Sequence, residues 1–235
     1  MSSPGFSLVR NKMDDSYVTR EWPKATTAAL RREPFGFWQK LEPFLTERME
    51  FFGAFLRRPA RVGAILPSSS ALAREMVWNC NLREADTVVE LGPGTGAITR
   101  MIVEAIGKET LFFALELDRR NFHGLRRRFP HVKVYHDSAE NMPKYLGQHD
   151  RLKADCVISA LPWGNMRPKL QSQILGAIFD SLRPGGIFAA MGYWHACRYP
   201  TTRHFRRQLE KHFKQITTSR IVWLNVPPAV VYHCR

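Results

Sequence analysis

Short apolar runs alternate with amphipathic segments from about residue 66 to the end of the chain. The apolar runs predict buried strands at 86–91, 111–117, 132–136, 154–161 and 186–193. Apolar residues at helical spacing predict helices at 70–78, 96–106, 118–129, 167–182 and 201–213. Two further strands, near 216–224 and 229–234, are separated by a turn too short for a parallel return, so they must be antiparallel. This alternation predicts a doubly wound α/β domain over residues 66–235, with a mostly parallel sheet covered on both faces.

The first 65 residues have a different pattern. Residues 1–32 are polar and aperiodic, which predicts a flexible N-terminal arm. Residues 33–65 contain an amphipathic helix with an aromatic-rich face and an arginine cluster at its end. The apolar face carries Trp38, Leu41, Leu45, Met49, Phe52 and Leu56. Such a helix is typical of one that lies in a membrane interface, so 33–65 is predicted to be a membrane-docking or lid helix; packing on the sheet is the alternative.

The charge balance narrows the choice of partners. The chain has 35 Lys and Arg against 21 Asp and Glu, a net charge of +14, which favours either nucleic acid or an anionic membrane surface. Its four cysteines are scattered without a CxxC pair, which argues against a disulfide framework or a metal site and favours a reducing compartment. Without a secretion signal or a long apolar run, the expected location is cytoplasmic, with peripheral membrane association.

The segment "VVELGPGTGAITR" predicts a strand that enters a glycine-rich turn and then a helix. The turn, with Gly92, Gly94 and Gly96, has neither the dinucleotide spacing nor the GK[ST] of a phosphate loop. The next strand ends at Glu116, which is placed to accept hydrogen bonds from ribose hydroxyls. The strand after it leads to Asp137, placed to accept from an adenine amino group. Together these features predict a site for a nucleoside without a pyrophosphate.

The set "VVELGPGTGAITR", "ALELD", "HDSA", "ISALPW" and "LRPGG" resembles the class I S-adenosylmethionine-dependent methyltransferases. The resemblance implies a Rossmann-like, seven-stranded sheet with one antiparallel strand, and S-adenosyl-L-methionine as cofactor. It implies cofactor contacts from Glu90, Gly92, Pro93, Gly94, Gly96, Glu116, Leu117, Asp137, Ser138 and Ala160. Ser69 is expected either to contact the carboxylate end of the cofactor or to cap the following helix.

Two further segments, "FLRRPARVGAILPSSSALAREM" and "WLNVPPAVVYHCR", resemble bacterial phospholipid N-methyltransferases, which methylate phosphatidylethanolamine. The competing resemblance is to the ribosomal RNA adenine dimethylases, which place an asparagine where this chain has Ala160. Alanine cannot accept a hydrogen bond from the adenine amino group, so nucleic acid is the less favoured partner. The expected function is N-methylation of an amino-phospholipid at an anionic membrane. RNA adenine methylation, methylation of another amino lipid such as ornithine lipid, and cofactor binding without catalysis stay as alternatives.

An amine must lose its proton before it can accept a methyl group, so a base near the strand ends is expected. The candidates are His136, Tyr193 and His195, with Tyr193 favoured over His195. Methylated amines stay cationic and bind to aromatic faces, which predicts acceptor contacts from Trp163, Tyr193 and Trp194, with core packing as the alternative. The predicted cations for a lipid phosphate are Arg167, Lys169, Arg198 and Arg203. Trp223 is expected in a strand and in the core.

Overall fold

Seven strands form one sheet in a computed structural model of the protein, which describes residues 68–235. The strands are β1 (Thr87–Leu91), β2 (Leu111–Leu115), β3 (Lys133–Tyr135), β4 (Ala154–Ser159), β5 (Leu182–Tyr193), β6 (Ile216–Thr218) and β7 (Ala229–Cys234). They lie in the order β3-β2-β1-β4-β5-β7-β6. β7 is antiparallel to both of its neighbours, while β1 to β5 pair in parallel. The predicted fold class, a mostly parallel sheet of seven strands with one antiparallel strand, is confirmed.

Helices cover both faces of this sheet. They are α1 (Ser70–Val77), α2 (Ala97–Ala105), α3 (Arg119–Arg128), α4 (Met142–Gln148), α5 (Pro168–Ser181) and α6 (Pro200–His212). α1 packs on α2, whereas α5 packs on both α4 and α6. This division follows from right-handed crossovers, because β1, β2 and β3 are connected in one direction across the sheet and β4, β5 and β6 in the other.

Local sequence determines where two of the helices begin. The Ser69 hydroxyl accepts a hydrogen bond from the Leu72 amide, with 3.1 Å between oxygen and nitrogen, and so caps α1. The Asp118 carboxylate accepts from the Asn121 backbone amide at 2.8 Å and caps α3. Side-chain oxygens at these positions satisfy amides that have no partner within the first turn of a helix.

Three structural expectations need correction. The helix α4 was not predicted, because a segment of seven residues containing Pro143 is too short to show a helical period. β6 ends at Thr218 rather than near 224, since the Ser219 hydroxyl accepts from the Val231 amide and replaces the strand ladder. Trp223 therefore lies in a turn, with 44% of its surface exposed, and not in a core strand.

The parallel strands all end at one edge of the sheet, called here the carboxyl edge. Ligands of open α/β sheets bind at this edge, in the loops that follow the strands. Between residues 68 and 235, none of the helices has the length and apolar character needed to cross a bilayer. The predicted arm at 1–32 and the predicted helix at 33–65 lie outside the described residues, so these two boundaries stay predictions.

Candidate functional site

The glycine turn after β1 is closed at its two ends and open at its centre. Gly92, Gly94 and Gly96 all have positive φ angles, of 70°, 57° and 88°, which L side chains rarely adopt. A Cβ atom on Gly96 would lie 2.5 Å from the Phe129 ring, and one on Gly92 would lie 2.7 Å from Leu161. A Cβ atom on Gly94 would meet nothing within 4 Å. The turn thus packs against α3 on one side and the loop after β4 on the other, while the backbone at Gly94 faces open space.

Glu90 lies directly beside this turn and is fully buried. One carboxylate oxygen, Oε2, accepts a hydrogen bond from the Thr99 hydroxyl at 2.7 Å. The other, Oε1, is buried without a hydrogen-bond partner among residues 68–235. Desolvation raises the pKa of Glu90 to about 8; the Thr99 hydrogen bond opposes the shift, and the charge of Glu116 adds to it. An unfilled acceptor of this kind suits a ligand that carries a positive charge.

Glu116 connects the end of β2 to the glycine turn. Its carboxylate accepts from the Gly94 amide at 2.8 Å and from the Asp118 amide at 2.8 Å. Burial raises the pKa of this carboxyl group, and the two amide hydrogen bonds lower it. The predicted Leu117 follows with an exposed side chain, and its carbonyl oxygen lies 3.0 Å from Nε2 of His136.

Asp137 is held by several donors of its own chain. Its carboxylate accepts from the Tyr145 hydroxyl at 2.8 Å, the Asn141 amide at 2.7 Å and the Ser138 backbone at 2.7 Å. These hydrogen bonds, led by that of Tyr145, lower the pKa of Asp137 to about 2. Asp137 therefore anchors the start of α4, and its contact with an adenine stays a prediction, as does that of Ser138. Sequence reasoning missed Asn141, which precedes α4, and Tyr145, which lies in it, because this helix was not predicted.

The loop after β4 is fixed from inside the domain. Nε2 of Gln171, a buried side chain of α5, donates to the carbonyl oxygens of Trp163, Met166 and Thr201. The Trp163 indole donates to the Ser159 hydroxyl at 3.2 Å and stacks on Phe205, with 4.5 Å between ring centroids. Only 1% of Trp163 is exposed.

The buried, stacked indole favours the alternative of core packing for Trp163, and its contact with the acceptor stays a prediction. Gln171 could not be found from the sequence, since nothing distinguishes it from the other polar residues of α5. Ala160 stands at the start of this loop, where its amide donates to the Leu91 carbonyl at 3.0 Å.

Two of the three candidate bases lie together at the end of β5. The rings of Tyr193 and His195 are 5.7 Å apart and nearly parallel. Burial raises the pKa of Tyr193 above its ordinary value of 10, so its phenol stays protonated at neutral pH and donates rather than accepts a proton. This shift makes Tyr193 a less suitable base than the sequence suggested, and the identity of the base stays a prediction.

His195 has the properties that a base requires. Burial lowers its pKa below the ordinary 6.5, so the ring is neutral at pH 7. Its Nδ1 is buried and has no hydrogen-bond partner among residues 68–235. His136 is exposed and stacks on Phe122. It follows β3, the outermost strand on one side of the sheet, and so lies far from the pair at the end of β5.

The start of α1 is joined to the loop between β6 and β7 through Asn225. Its side-chain oxygen accepts from the Ser69 amide at 3.0 Å, and its amide nitrogen donates to the Pro227 carbonyl at 2.7 Å. Asn225 is buried, and sequence reasoning passed over it although it lies within the quoted segment "WLNVPPAVVYHCR". Ser69 acts as a helix cap here, and its predicted cofactor contact stays untested. The predicted phosphate-binding cations Arg167, Lys169, Arg198 and Arg203 are all exposed.

Comparison with known proteins assigns the domain. A family described as "Methyltransferase domain" matches residues 88–186. An ornithine lipid N-methyltransferase of Singulisphaera acidiphila is 30% identical over 190 residues, which cover 79% of this chain and 94% of that protein. A ribosomal RNA small subunit methyltransferase A of Prochlorococcus marinus is 28% identical over 127 residues, 54% of this chain and 44% of that protein.

Solved structures share the fold. TrmN from Thermus thermophilus superposes with a TM-score of 0.55 at 16% identity and covers 71% of this chain, which spans 48% of TrmN. A putative O-methyltransferase from Klebsiella pneumoniae gives a TM-score of 0.54 at 13% identity and covers 82% of this chain and 90% of that one.

The residues present fit a nucleoside cofactor with a positive charge. The backbone at Gly94 is open to a ligand, the free oxygen of Glu90 is an acceptor for a cationic group, and Glu116 is an acidic residue at the end of the neighbouring strand. The ornithine lipid N-methyltransferase, which aligns over 94% of its own length, and the order of the strands agree with this assignment. The chain belongs to the class I S-adenosylmethionine-dependent methyltransferases and uses S-adenosyl-L-methionine as its cofactor.

Proposed function

We propose that the protein methylates the amine of a membrane amino lipid, with phosphatidylethanolamine and ornithine lipid as the two candidate substrates. The observation that carries the proposal is the extent of the lipid-methylating relative, which aligns over 94% of its own length, whereas the alignment to the ribosomal RNA relative covers 44% of that protein. Ala160 adds to it, since it cannot supply the side-chain acceptor that an adenine amino group would need.

The cofactor supplies a methyl group on a positively charged sulfur, which is already electrophilic. What the protein must supply is alignment, exclusion of water and an unprotonated amine. A primary amine with a pKa near 10.4, as in lysine, is almost fully protonated at pH 7. In the proposed reaction, neutral His195 removes this proton, and the protonated phenol of Tyr193 orients the head group. Arg198 and Arg203 lie just after these residues and suit a lipid phosphate or carboxylate.

The role of His195 predicts a specific pH dependence. His195→Gln is expected to lower kcat by about 100-fold, in the range of general base catalysis. In the wild type, kcat should fall as the pH drops through the depressed pKa of His195, below 6.5, because protonation removes the base. The variant should lack this acidic decline. Cofactor affinity, measured by calorimetry, should be unchanged. A His136→Gln control should retain full activity, and a kcat for His195→Gln within twofold of the wild type would exclude His195 as the base.

The substrate is tested directly with the purified full-length protein and cofactor labelled in its methyl group. Separate reactions contain vesicles with phosphatidylethanolamine, vesicles with ornithine lipid, vesicles of phosphatidylcholine alone, and unmethylated ribosomal RNA. Label in either amino lipid, with none in phosphatidylcholine, is the expected result and identifies the substrate. Label in RNA alone would overturn the proposal.

RNA methylation is the second candidate because of the net charge of +14 and the ribosomal RNA relatives. If it were correct, Ala160→Asn should raise the rate on RNA, since it restores the missing acceptor. Under the lipid proposal, the same change should leave RNA unlabelled.

A further inference from the structure

Three large apolar side chains are exposed on two segments of the carboxyl edge that the backbone places side by side. They are Trp194, Trp223 and Leu224, with exposed fractions of 37%, 44% and 79%. Trp194 follows the end of β5, and its amide donates to the Pro228 carbonyl at 2.9 Å. Trp223 and Leu224 occupy the turn that the bridge between Val222 and Ala229 closes. We call these three residues the apolar rim.

The turn that carries two members of the apolar rim is held in place. The Asn225 amide donates to the Val222 carbonyl, and the Asn225 side chain bonds to Ser69 and to Pro227. Asn225 is buried directly behind Leu224 in sequence. Because these hydrogen bonds of Asn225 fix the turn, the side chain of Leu224 is kept exposed to solvent. Exposing a large apolar side chain in this way is unfavourable unless a partner covers it.

The surroundings of the apolar rim are cationic. The only acidic residue between the carboxyl end of β5 and the end of α6 is Glu210. Glu210 is paired with Arg206, at 2.7 Å. Arg198, in the short turn that begins at Trp194, and Arg203 and Arg207, in the first turns of α6, are exposed. Tryptophan and leucine beside arginine is the composition of a surface that enters the boundary between head groups and acyl chains of an anionic bilayer.

We propose that the apolar rim is the part of this domain that inserts into an anionic lipid bilayer. This inference rests on the proposed function and is separate from the predicted helix at 33–65. The rim begins one residue after Tyr193 and includes the neighbour of His195, so docking through it brings the candidate base to the level of the head groups. The anchor from Asn225 to Ser69 connects the same turn to the start of α1, so the docked surface is rigidly joined to the cofactor-binding half of the domain.

The test compares two equivalent substitutions in the full-length protein. Leu224→Asp places a charge in the apolar rim. Leu152→Asp is the matched control, because Leu152 is 88% exposed and lies before β4, at the opposite edge of the sheet. Flotation with vesicles of phosphatidylglycerol and phosphatidylcholine should show about tenfold weaker binding for Leu224→Asp, as expected for loss of one inserted leucine. Leu152→Asp should bind like the wild type, and Leu224→Phe should retain binding.

Three results would overturn the proposal, two from the vesicles and one from RNA. One is equal binding by Leu224→Asp and the wild type, and the other is an equal loss in both aspartate variants, which would reflect charge alone. A reduced affinity for ribosomal RNA in gel shifts, with vesicle binding intact, would assign the rim to RNA instead and also overturn it.

Methyl transfer is measured separately on amino lipid dispersed in detergent, where docking is not needed. Leu224→Asp should keep wild-type activity there. Rim-dependent flotation without methylation of any lipid would support the docking surface and refute the proposed substrate. Methylation in detergent with flotation independent of the rim would do the reverse.

Discussion

Gly96→Ala is expected to lower the free energy of unfolding by about 2–5 kcal/mol. Two costs combine in this estimate. The residue has a φ of 88°, and a left-handed conformation costs an L residue about 1–2 kcal/mol. The new methyl group would also lie 2.5 Å from Phe129 and 2.9 Å from Leu125, and overpacking of this kind costs about 1–3 kcal/mol.

The same change should weaken cofactor binding, because the side chains of Leu125 and Phe129, at the end of α3, must shift to accommodate the methyl group. Arg128 of α3 donates to the Thr95 carbonyl within the turn, so a shift of the helix pulls on the backbone that faces the ligand. Urea unfolding gives the stability, and calorimetry with the cofactor gives the affinity.

Gly94→Ala is the matched control, since it has a similar φ of 57° but open space around the added atom. It should lose only the conformational term, about 1–2 kcal/mol of stability. Its cofactor affinity should nevertheless fall, because the methyl group enters the open space that is predicted to hold the ligand. An equal loss of stability in the two variants would contradict the prediction. It would show that the contact with Phe129 and Leu125 is not the reason that position 96 requires glycine.

Much of the fold could be predicted because its signals are local. Uninterrupted apolar strands, amphipathic helices and a short turn before the last strand are all properties of neighbouring residues. The expectations failed where this local signal was short or where tertiary contacts replaced it. The helix at Met142–Gln148 has too few residues to show a period, and β6 ends where a serine hydroxyl takes over the ladder.

The site divides in the same way. Glu90 lies near the end of β1, the glycine turn follows β1, and Glu116 follows β2, so the sequence alone could place them at the carboxyl edge; their contacts with the cofactor stay predictions. Asn225 bonds to Ser69 across 156 positions of sequence, and no local pattern reports such a contact. Trp163 was assigned to the acceptor because it follows a strand end; its burial depends on Phe205, which packs on it from a distant helix.

Glu90 is expected to make the unliganded protein less stable as the pH rises. Its pKa in the folded state is raised from 4.5 to about 8, so between these values the folded protein binds more protons than the unfolded chain. The contribution of the Glu90 carboxyl group to the free energy of unfolding is therefore fully present below pH 4.5. It is lost as the pH rises through 8. From pH 5 to pH 9 the group should cost roughly 4 kcal/mol, at about 1.4 kcal/mol for each unit of pKa difference.

Glu90→Gln should remove this loss, because a neutral amide has no proton to release. The comparison that matters is the change in stability between pH 5 and pH 9, measured by urea unfolding, since any constant offset from the new amide group then cancels. Glu104→Gln, at an exposed position of α2, is the control and should keep the wild-type pH dependence. If Glu90→Gln lost as much stability between pH 5 and pH 9 as the wild type does, Glu90 would not be the group responsible.

The raised pKa of Glu90 should couple cofactor binding to the release of a proton. A cationic group beside the free Oε1 favours the ionised form, so binding below pH 8 should expel a proton from Glu90. Wild-type affinity should then rise with pH between 6 and 8, by at most about tenfold per pH unit.

The proton release can be measured from the heat of binding, which should differ between phosphate and Tris buffers because the two buffers take up the proton with different heats. Glu90→Gln should bind weakly with no such difference. Because Glu116 is the neighbouring acid that raises the same pKa, Glu116→Gln should reduce the proton release without abolishing it. An equal buffer effect in Glu90→Gln would assign the proton to another group and leave Glu90 a structural residue.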